Sequence, residues 1–152
     1  MLTMETKLRT TYQVDSSSKN WSDVATVFYF VTLNTKNKRP DLGPTQAGNV
    51  AYRYWIEIPN HFPFVELDTF SVTRDQVRGI LFLNKPRYES WRTNSFKPQS
   101  ENLASVVRHY KDSVKKYTTS HRIGFDWQPR HDVHMIRSEI ELTTIRNYIS
   151  GI

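Results

Sequence analysis

The pattern of apolar and polar positions predicts four strands. Residues 25–33 (ATVFYFVTL) are β-branched and aromatic, as expected of a buried strand. Residues 64–72 and 77–84 are two more apolar runs, and the four polar residues between them predict a hairpin. A short apolar run at 125–128 predicts the last strand.

Three segments show helical spacing instead. A helix is predicted from about residue 47 to 57, and Pro59 ends it. Ser100 can cap a second helix that runs to about residue 117, with its apolar side chains three or four positions apart. The last helix, 138–149, opens with Ser138, and Glu141 three residues later completes a capping box.

The resulting order, β-α-β-β-α-β-α, predicts an α+β protein of the ferredoxin-like type, with an antiparallel sheet and the helices on one face. Residues 1–24 are polar and include a run of three serines, so they are interpreted as an N-terminal arm. Residues 25–152 then form one domain.

Composition narrows the class of protein. Of the 152 residues, 38% are hydrophobic and 13% are aromatic, which is not typical of a disordered segment. There is no cysteine, so disulfides, thiolate metal sites and a cysteine nucleophile are excluded. No run approaches the ~20 apolar residues of a membrane span, and no signal-peptide pattern is found. We therefore expect no membrane partner and a cytoplasmic location.

The net charge of +6 comes from the second half of the chain. Residues 1–70 contain 7 basic and 7 acidic residues, which leaves 14 of the 21 basic and 8 of the 15 acidic residues to 71–152. Such asymmetry suggests a polyanionic partner, with nucleic acid favoured over a membrane. A solvated basic face that only aids solubility explains the charge equally well.

Several segments, in order, resemble the REP-associated tyrosine transposases, which are HUH single-strand transposases. They are YWIEIP at 54–59, VELDTF at 65–70, the stretch from WQPR to HMIR at 127–137 and IRNYI at 145–149. The resemblance covers residues 25–152 and identifies them as an HUH transposase-like domain. It implies a ferredoxin-like fold with the active site on the open face of the sheet.

In that family a His-x-His pair on the third strand binds Mg²⁺ or Mn²⁺, and a tyrosine attacks the scissile phosphate. The resemblance assigns the nucleophile position to Tyr148, which is present. It assigns the histidine positions to Gln76 and Arg78, and the third ligand position to Ile152. Because an arginine has no lone pair to donate to a metal, the resemblance implies a scaffold whose metal chemistry has been lost.

The favoured hypothesis is a protein that binds single-stranded or hairpin DNA without metal-dependent cleavage, with no cofactor. A basic stripe on the second helix and arginines in the hairpin would contact phosphates. The candidate DNA-binding residues are Arg74, Arg78, Lys85, Arg87, Arg108, Lys111, Lys115, Lys116, Arg130 and Arg137, with Arg92 and Lys97 extending the track. The chain would act as a monomer or a homodimer.

The alternative is an active transposase or nickase that uses Tyr148 and a divergent Mg²⁺ or Mn²⁺ site. Its candidate ligands are Asp75, Gln76, His131 and His134. An RNA-binding or protein-interaction module ranks third. Simpler interpretations stand beside these: Tyr148 as ordinary helix packing, and Trp127 as a core residue.

Overall fold

The computed structural model describes residues 10–12, 26–84 and 99–151, with side chains at 27–84 and 103–151. A single 3₁₀ turn, Lys36–Lys38, follows the second strand. The remaining elements, in chain order, are β1 (Thr10–Tyr12), β2 (Thr26–Asn34), α1 (Gln46–Ile56), α2 (Ile58–His61), β3 (Val65–Val72), β4 (Gln76–Asn84), α3 (Gln99–Ser120), β5 (Asp132–Ile136) and α4 (Glu139–Ser150).

The strands form one antiparallel sheet in the order β1-β3-β4-β2-β5. The chain passes from β2 through α1 to β3 and from β4 through α3 to β5, and each crossover skips one strand. Two βαβ units are thereby interleaved, which is the split arrangement of ferredoxin-like proteins. The predicted α+β class with an antiparallel sheet is confirmed.

The β3–β4 hairpin matches its prediction to within one residue at each end. Its turn is closed by the Thr73 amide, which donates to the Gln76 carbonyl at 2.8 Å. The turn places the exposed Arg74 and the half-buried Asp75 at the end of the sheet. The hairpin therefore sets the register of β4 against β3, and with it the face of the sheet on which each β4 side chain lies.

One face of the sheet packs against α1 and α3. Val31 and Leu33 of β2 and Leu81 of β4 are fully buried there. Trp55 of α1 and Tyr110 of α3 meet edge to face, with ring centroids 5.1 Å apart. The Tyr110 hydroxyl donates to the Ala51 carbonyl at 2.7 Å, so this buried polar group is satisfied.

The other face is covered by α4, which corrects the expectation that all helices lie on one side. Phe28 of β2 and Ile80 of β4 are buried in a second apolar cluster with Leu142 and Ile149 of α4. Successive residues of a strand point to opposite faces, so these residues alternate with those of the first core. Because β2 is apolar on both sides, a single helical layer would leave one apolar face exposed to water.

The predicted strand at 125–128 is wrong. Phe125 and Trp127 are buried but lie in a loop, where Trp127 forms only an isolated bridge with Thr35. The strand in this part of the sequence is β5, which lies at one edge of the sheet and has its first three residues exposed. It has no continuous apolar run, because Asp132 and His134 alternate with Val133 and Met135, and in the described part of the chain it pairs only with β2. The interpretation of Trp127 as a core residue is confirmed.

The proposed N-terminal arm lies mostly outside the described residues. Within it, Thr10–Tyr12 pair with Val72–Phe70 and form β1 at the edge of the sheet. In the described ranges no helix is long and apolar enough to cross a membrane.

We predict that Gly79→Ala destabilises the fold. A Cβ at this position would lie 2.5 Å from Phe70 Cβ and 2.8 Å from Trp55 Cζ2. Overpacking of this kind costs about 1–3 kcal/mol, measured by urea unfolding. Gly124→Ala is the matched control, because nothing lies within 4 Å of its added Cβ. Equal stability of the two variants would contradict the packing described here.

Candidate functional site

The candidate site lies on the α4 face of the sheet, near the β3–β4 turn. Gln76 and Arg78 are two residues apart on β4 and so project to the same side as Ile80. Across the sheet, Gln76 pairs with Asn34 and Arg78 pairs with Thr32 of β2. These four polar residues lie on the same face of the sheet as the apolar residues that α4 covers, at the end nearer the β3–β4 turn.

Arg78 contacts Tyr148, the residue that the resemblance assigns as nucleophile. Its Nη1 atom donates a hydrogen bond to the Tyr148 hydroxyl at 3.0 Å. Its Cζ atom lies 4.5 Å from the centroid of the Tyr148 ring, a cation–π contact. Tyr148 also meets Phe30 edge to face, at 6.2 Å between centroids, yet it remains 56% exposed. The phenol is therefore at the surface, beside a fixed positive charge.

Gln76 extends the row of hydrogen bonds that begins with Tyr148 and Arg78. Its Oε1 accepts a hydrogen bond from Arg78 Nη1 at 3.3 Å, and its Nε2 donates to Asn34 Oδ1 at 2.9 Å. The amide oxygen, the atom that could bind a hard cation, is thus turned toward a guanidinium. A divalent cation needs several ligand atoms with available lone pairs and is repelled by a neighbouring positive charge. This donor set is a poor fit for a divalent metal.

The ligand set of the enzyme hypothesis is not brought together. His134 Nε2 lies 2.6 Å from Glu141 Oε2, whereas His131 lines a separate cavity beside α3. Asp75 Oδ1 accepts a hydrogen bond of 3.5 Å from Thr73 within the hairpin turn. Across residues 26–84 and 103–151, no three carboxylate or histidine side chains gather as a metal site would require.

Two buried polar atoms of the site have no hydrogen-bond partner in the described part of the chain. They are Arg78 Nε and the hydroxyl of Ser71, which pairs with Arg78 across β3 and β4. Buried polar atoms nearly always form a hydrogen bond, so these two atoms are exceptions. The Arg78 guanidinium thus has donors that its contacts with Tyr148 and Gln76 do not use.

The first turn of α4 is fixed by Glu141. Ser138 caps the helix, as predicted, by accepting from the Glu141 amide at 3.1 Å. The Glu141 carboxylate accepts from the Arg137 amide at 2.8 Å and contacts His134. These two hydrogen bonds, with the Arg137 amide the larger cause, hold the pKa of Glu141 below its ordinary value. The start of α4 is therefore tied to β5.

The middle of α4 is held by a buried ion pair that sequence reasoning missed. Arg146 Nε donates to Asp68 Oδ1 at 2.8 Å, and Nη2 donates to Oδ2 at 2.6 Å. Asp68 is fully buried, and the Arg146 side chain is 14% exposed. A bulge in β3 between Leu67 and Phe70 accompanies this geometry. The available signal was the carboxylate of Asp68 next to the apolar Leu67, within the VELDTF segment.

The predicted basic stripe, which consists of Arg108, Lys111, Lys115 and Lys116, is divided between two sides of α3. Arg108 and Lys111 line a cavity with Pro129 and His131, whereas Lys116 lines another cavity with Tyr54 of α1. The expectation that Lys116 shares a face with the other three is wrong, because it is displaced by about 100° from Lys115 around the helix.

Two lysines of the stripe hold the loop before β5. Lys111 Nζ donates to the carbonyls of Gln128 and Pro129 at 3.1 and 3.3 Å. Lys115 Nζ donates to the Phe125 carbonyl at 2.5 Å and pairs with Asp126 at 3.3 Å. Both side chains therefore have a structural role on the helix side of the sheet, away from Tyr148.

The other candidates are dispersed or not described. Arg74, Arg130 and Arg137 are exposed, at the hairpin turn and at the two ends of β5. The candidates outside the described residues are Lys85, Arg87, Arg92, Lys97 and Ile152. The structure thus brings Gln76, Arg78 and Tyr148 together, and it does not gather the other candidates around them.

Comparison with known proteins supports this architecture. No protein-family model matches the chain. An uncharacterised protein of Haemophilus influenzae is 29% identical over 141 residues, which are 82% of this chain and 78% of that protein.

Two solved structures are similar in fold. One is a REP-associated tyrosine transposase bound to a REP hairpin, with a TM-score of 0.58, 22% identity and 81% of this chain covered. The chain has the fold of a transposase. The other is a provisionally assigned transposase of Deinococcus radiodurans, with a TM-score of 0.51, 18% identity and 88% of this chain covered. The matches span 64% of the first protein and 96% of the second.

We predict that Asp68→Asn lowers the free energy of unfolding by roughly 3 kcal/mol, because it leaves Arg146 largely buried without its counterion. The measurement is urea unfolding of the variant and the unmodified protein. Asp126→Asn is the matched control, since Asp126 is 55% exposed in its pair with Lys115 and should cost at most about 1 kcal/mol. A loss at Asp68 no larger than at Asp126 would contradict a structural role for the buried pair.

Proposed function

We propose that this chain binds single-stranded or hairpin DNA on a transposase scaffold and does not carry out metal-dependent cleavage. The observation that carries the proposal is the Arg78 guanidinium, held 3.0 Å from the Tyr148 hydroxyl at the position that the resemblance assigns to a metal ligand. A guanidinium is permanently charged and matches the geometry of a phosphate. We propose that Arg78 binds a backbone phosphate directly where a transposase would use a cation.

The surroundings of Arg78 support phosphate binding. Among the described residues its guanidinium forms hydrogen bonds only through Nη1, and Gln76 and Asn34 add a polar row beside it. Tyr148 presents an exposed aromatic ring next to this charge, and aromatic rings are common stacking partners for unpaired bases. A phosphate site beside an aromatic ring is the usual combination in proteins that bind single strands.

Charge and fold similarity point the same way. The net charge of +6 favours a polyanion, and the similar transposase structure was solved with a REP hairpin. We extend that ligand class to this chain as a proposal, with the cytoplasm as the location where it would meet DNA. The chain would work as a monomer or a homodimer and would need no cofactor.

We predict submicromolar binding to a hairpin oligonucleotide that weakens steeply as salt concentration rises. Arg78→Gln should weaken binding about tenfold or more, because it removes a charge-assisted hydrogen bond of roughly 1.5–3 kcal/mol. It should also reduce the slope of log K against log salt by about 0.7–0.9. Fluorescence anisotropy measures both quantities.

The control for this experiment is Arg53→Gln, the same substitution at an exposed residue of α1 on the opposite side of the sheet. It should leave the affinity unchanged. Weak binding that ignores salt, or an equal loss in both variants, would count against a phosphate contact at Arg78.

The alternative function is strand cleavage by Tyr148 with a divergent metal site. The observation that favours it is the hydroxyl itself, which lies at the protein surface and next to a cation. A tyrosine needs a metal or a base to be an effective nucleophile at neutral pH, and the donor set around Gln76 provides neither. This alternative is therefore second.

We predict that incubation with labelled single-stranded DNA and Mn²⁺ gives no covalent adduct on a denaturing gel. The matched variant is Tyr148→Phe, which keeps the ring and removes the attacking oxygen. An adduct in the unmodified protein that is lost in Tyr148→Phe would establish the alternative and refute a binding-only role.

A further inference from the structure

A cationic cavity lies between α3 and the loop that leads into β5. Its volume is about 270 Å³. The residues that line it are Ala104, Arg108, Lys111, Asp112, Pro129 and His131. It contains one guanidinium, one ammonium, one carboxylate and one imidazole, so the cations outnumber the carboxylate when Lys111 is protonated. Burial lowers the pKa of Lys111, and the charge of Asp112 opposes that effect.

The two cations of the cavity have donors to offer. The Arg108 guanidinium is exposed and makes no hydrogen bond or ion pair in the described part of the chain. Lys111 uses two of its three ammonium protons on the carbonyls of Gln128 and Pro129, which hold the charge in place and leave one donor. A fixed ammonium beside an unpaired guanidinium is well suited to an oxyanion.

His131 reports the electrostatic character of the cavity. Its pKa is lowered from the ordinary value by burial and by the charge of Lys111, and Asp132 opposes that effect. The remaining charged groups of the cavity are Arg108 and Asp112. An anion bound among them would offset the repulsion from Lys111 and favour the protonated imidazole.

The position of the cavity relates it to Arg78. Arg78, Thr32 and Asp132 are register partners on three adjacent strands, β4, β2 and β5. Neighbouring strands are about 4.8 Å apart, so Asp132 lies roughly 10 Å from Arg78 across the sheet. His131 directly precedes Asp132 at the open edge of the sheet. A strand of nucleic acid that contacts Arg78 would have to cross this edge to reach the cavity.

We propose that the Arg108–Lys111–His131 cavity binds a second phosphate of the same DNA strand, where that strand crosses the β5 edge. This inference rests on the proposed function for its ligand, because the shared chemistry is a phosphate oxyanion. The phosphodiester of the backbone is the source we assign, rather than a terminal phosphate. The DNA path then joins the α4 face and the α3 side around β5.

The test is an NMR titration of the histidine side chains of the full chain, with His131 assigned by His131→Gln. Dimethyl phosphate is the probe for a phosphodiester, inorganic phosphate is the probe for a terminal phosphate, and chloride at equal ionic strength is the blank. Dimethyl phosphate should move the His131 signal saturably and raise its titration midpoint by about 0.5 pH units or more. A response to inorganic phosphate alone would overturn the assignment to the backbone.

Arg108→Gln should abolish the His131 response, whereas Arg53→Gln on α1 should leave it unchanged. The same Arg108 variant should weaken binding to the hairpin oligonucleotide about tenfold. Absence of any saturable phosphate response, or an equal response in Arg108→Gln, would overturn the proposal.

The outcome for this site is separable from that for the proposed function. DNA binding without a His131 response would remove the second phosphate site and leave the proposed function intact. A His131 response to dimethyl phosphate in a protein that binds no DNA would refute the proposed function and also the assignment of this site to DNA.

Discussion

The docking of α4 on the second apolar face of the sheet is the constraint on which the site depends. The buried pair of Asp68 and Arg146 holds the middle of this helix, and Arg146 precedes Tyr148 by only two residues. Glu141 ties the first turn to β5, and Arg78 meets the last turn. Without these contacts the phenol would have no defined position relative to the guanidinium, and the polar row of β4 would be an ordinary sheet surface.

The chemistry of the site depends on the residue types at two positions of β4. A histidine pair on β4 would present lone pairs to a metal. Gln76 instead has its amide oxygen hydrogen-bonded to Arg78, and Arg78 adds a positive charge. Such a surface carries a charge that attracts a phosphate, as we propose for this chain, but it is poorly suited to activating one through a metal. Fold similarity to a transposase is therefore compatible with a function limited to binding, because activity depends on the site and not on the scaffold.

Much of the fold could be predicted from local pattern, and the site could be predicted only in part. The β3–β4 hairpin is delimited by two apolar runs and a polar turn, and α4 by its capping box. The edge strand β5 gives no such signal, since its exposed residues bury little. The pairing of Asp68 with Arg146 joins positions 78 residues apart, which a single sequence does not reveal. The side of α3 that Lys116 occupies likewise depends on where α1 packs.

The order of the elements along the chain affects how the protein folds, because α4 follows every described strand of the sheet. Phe28 and Ile80 cannot be covered by α4 until residue 149 has been synthesised, because Leu142 and Ile149, which pack in the same cluster, belong to that helix. A partly made chain would thus present an aromatic surface to its surroundings for the whole interval, which favours aggregation or capture by a chaperone. Loss of even one turn of α4 would make that transient exposure permanent.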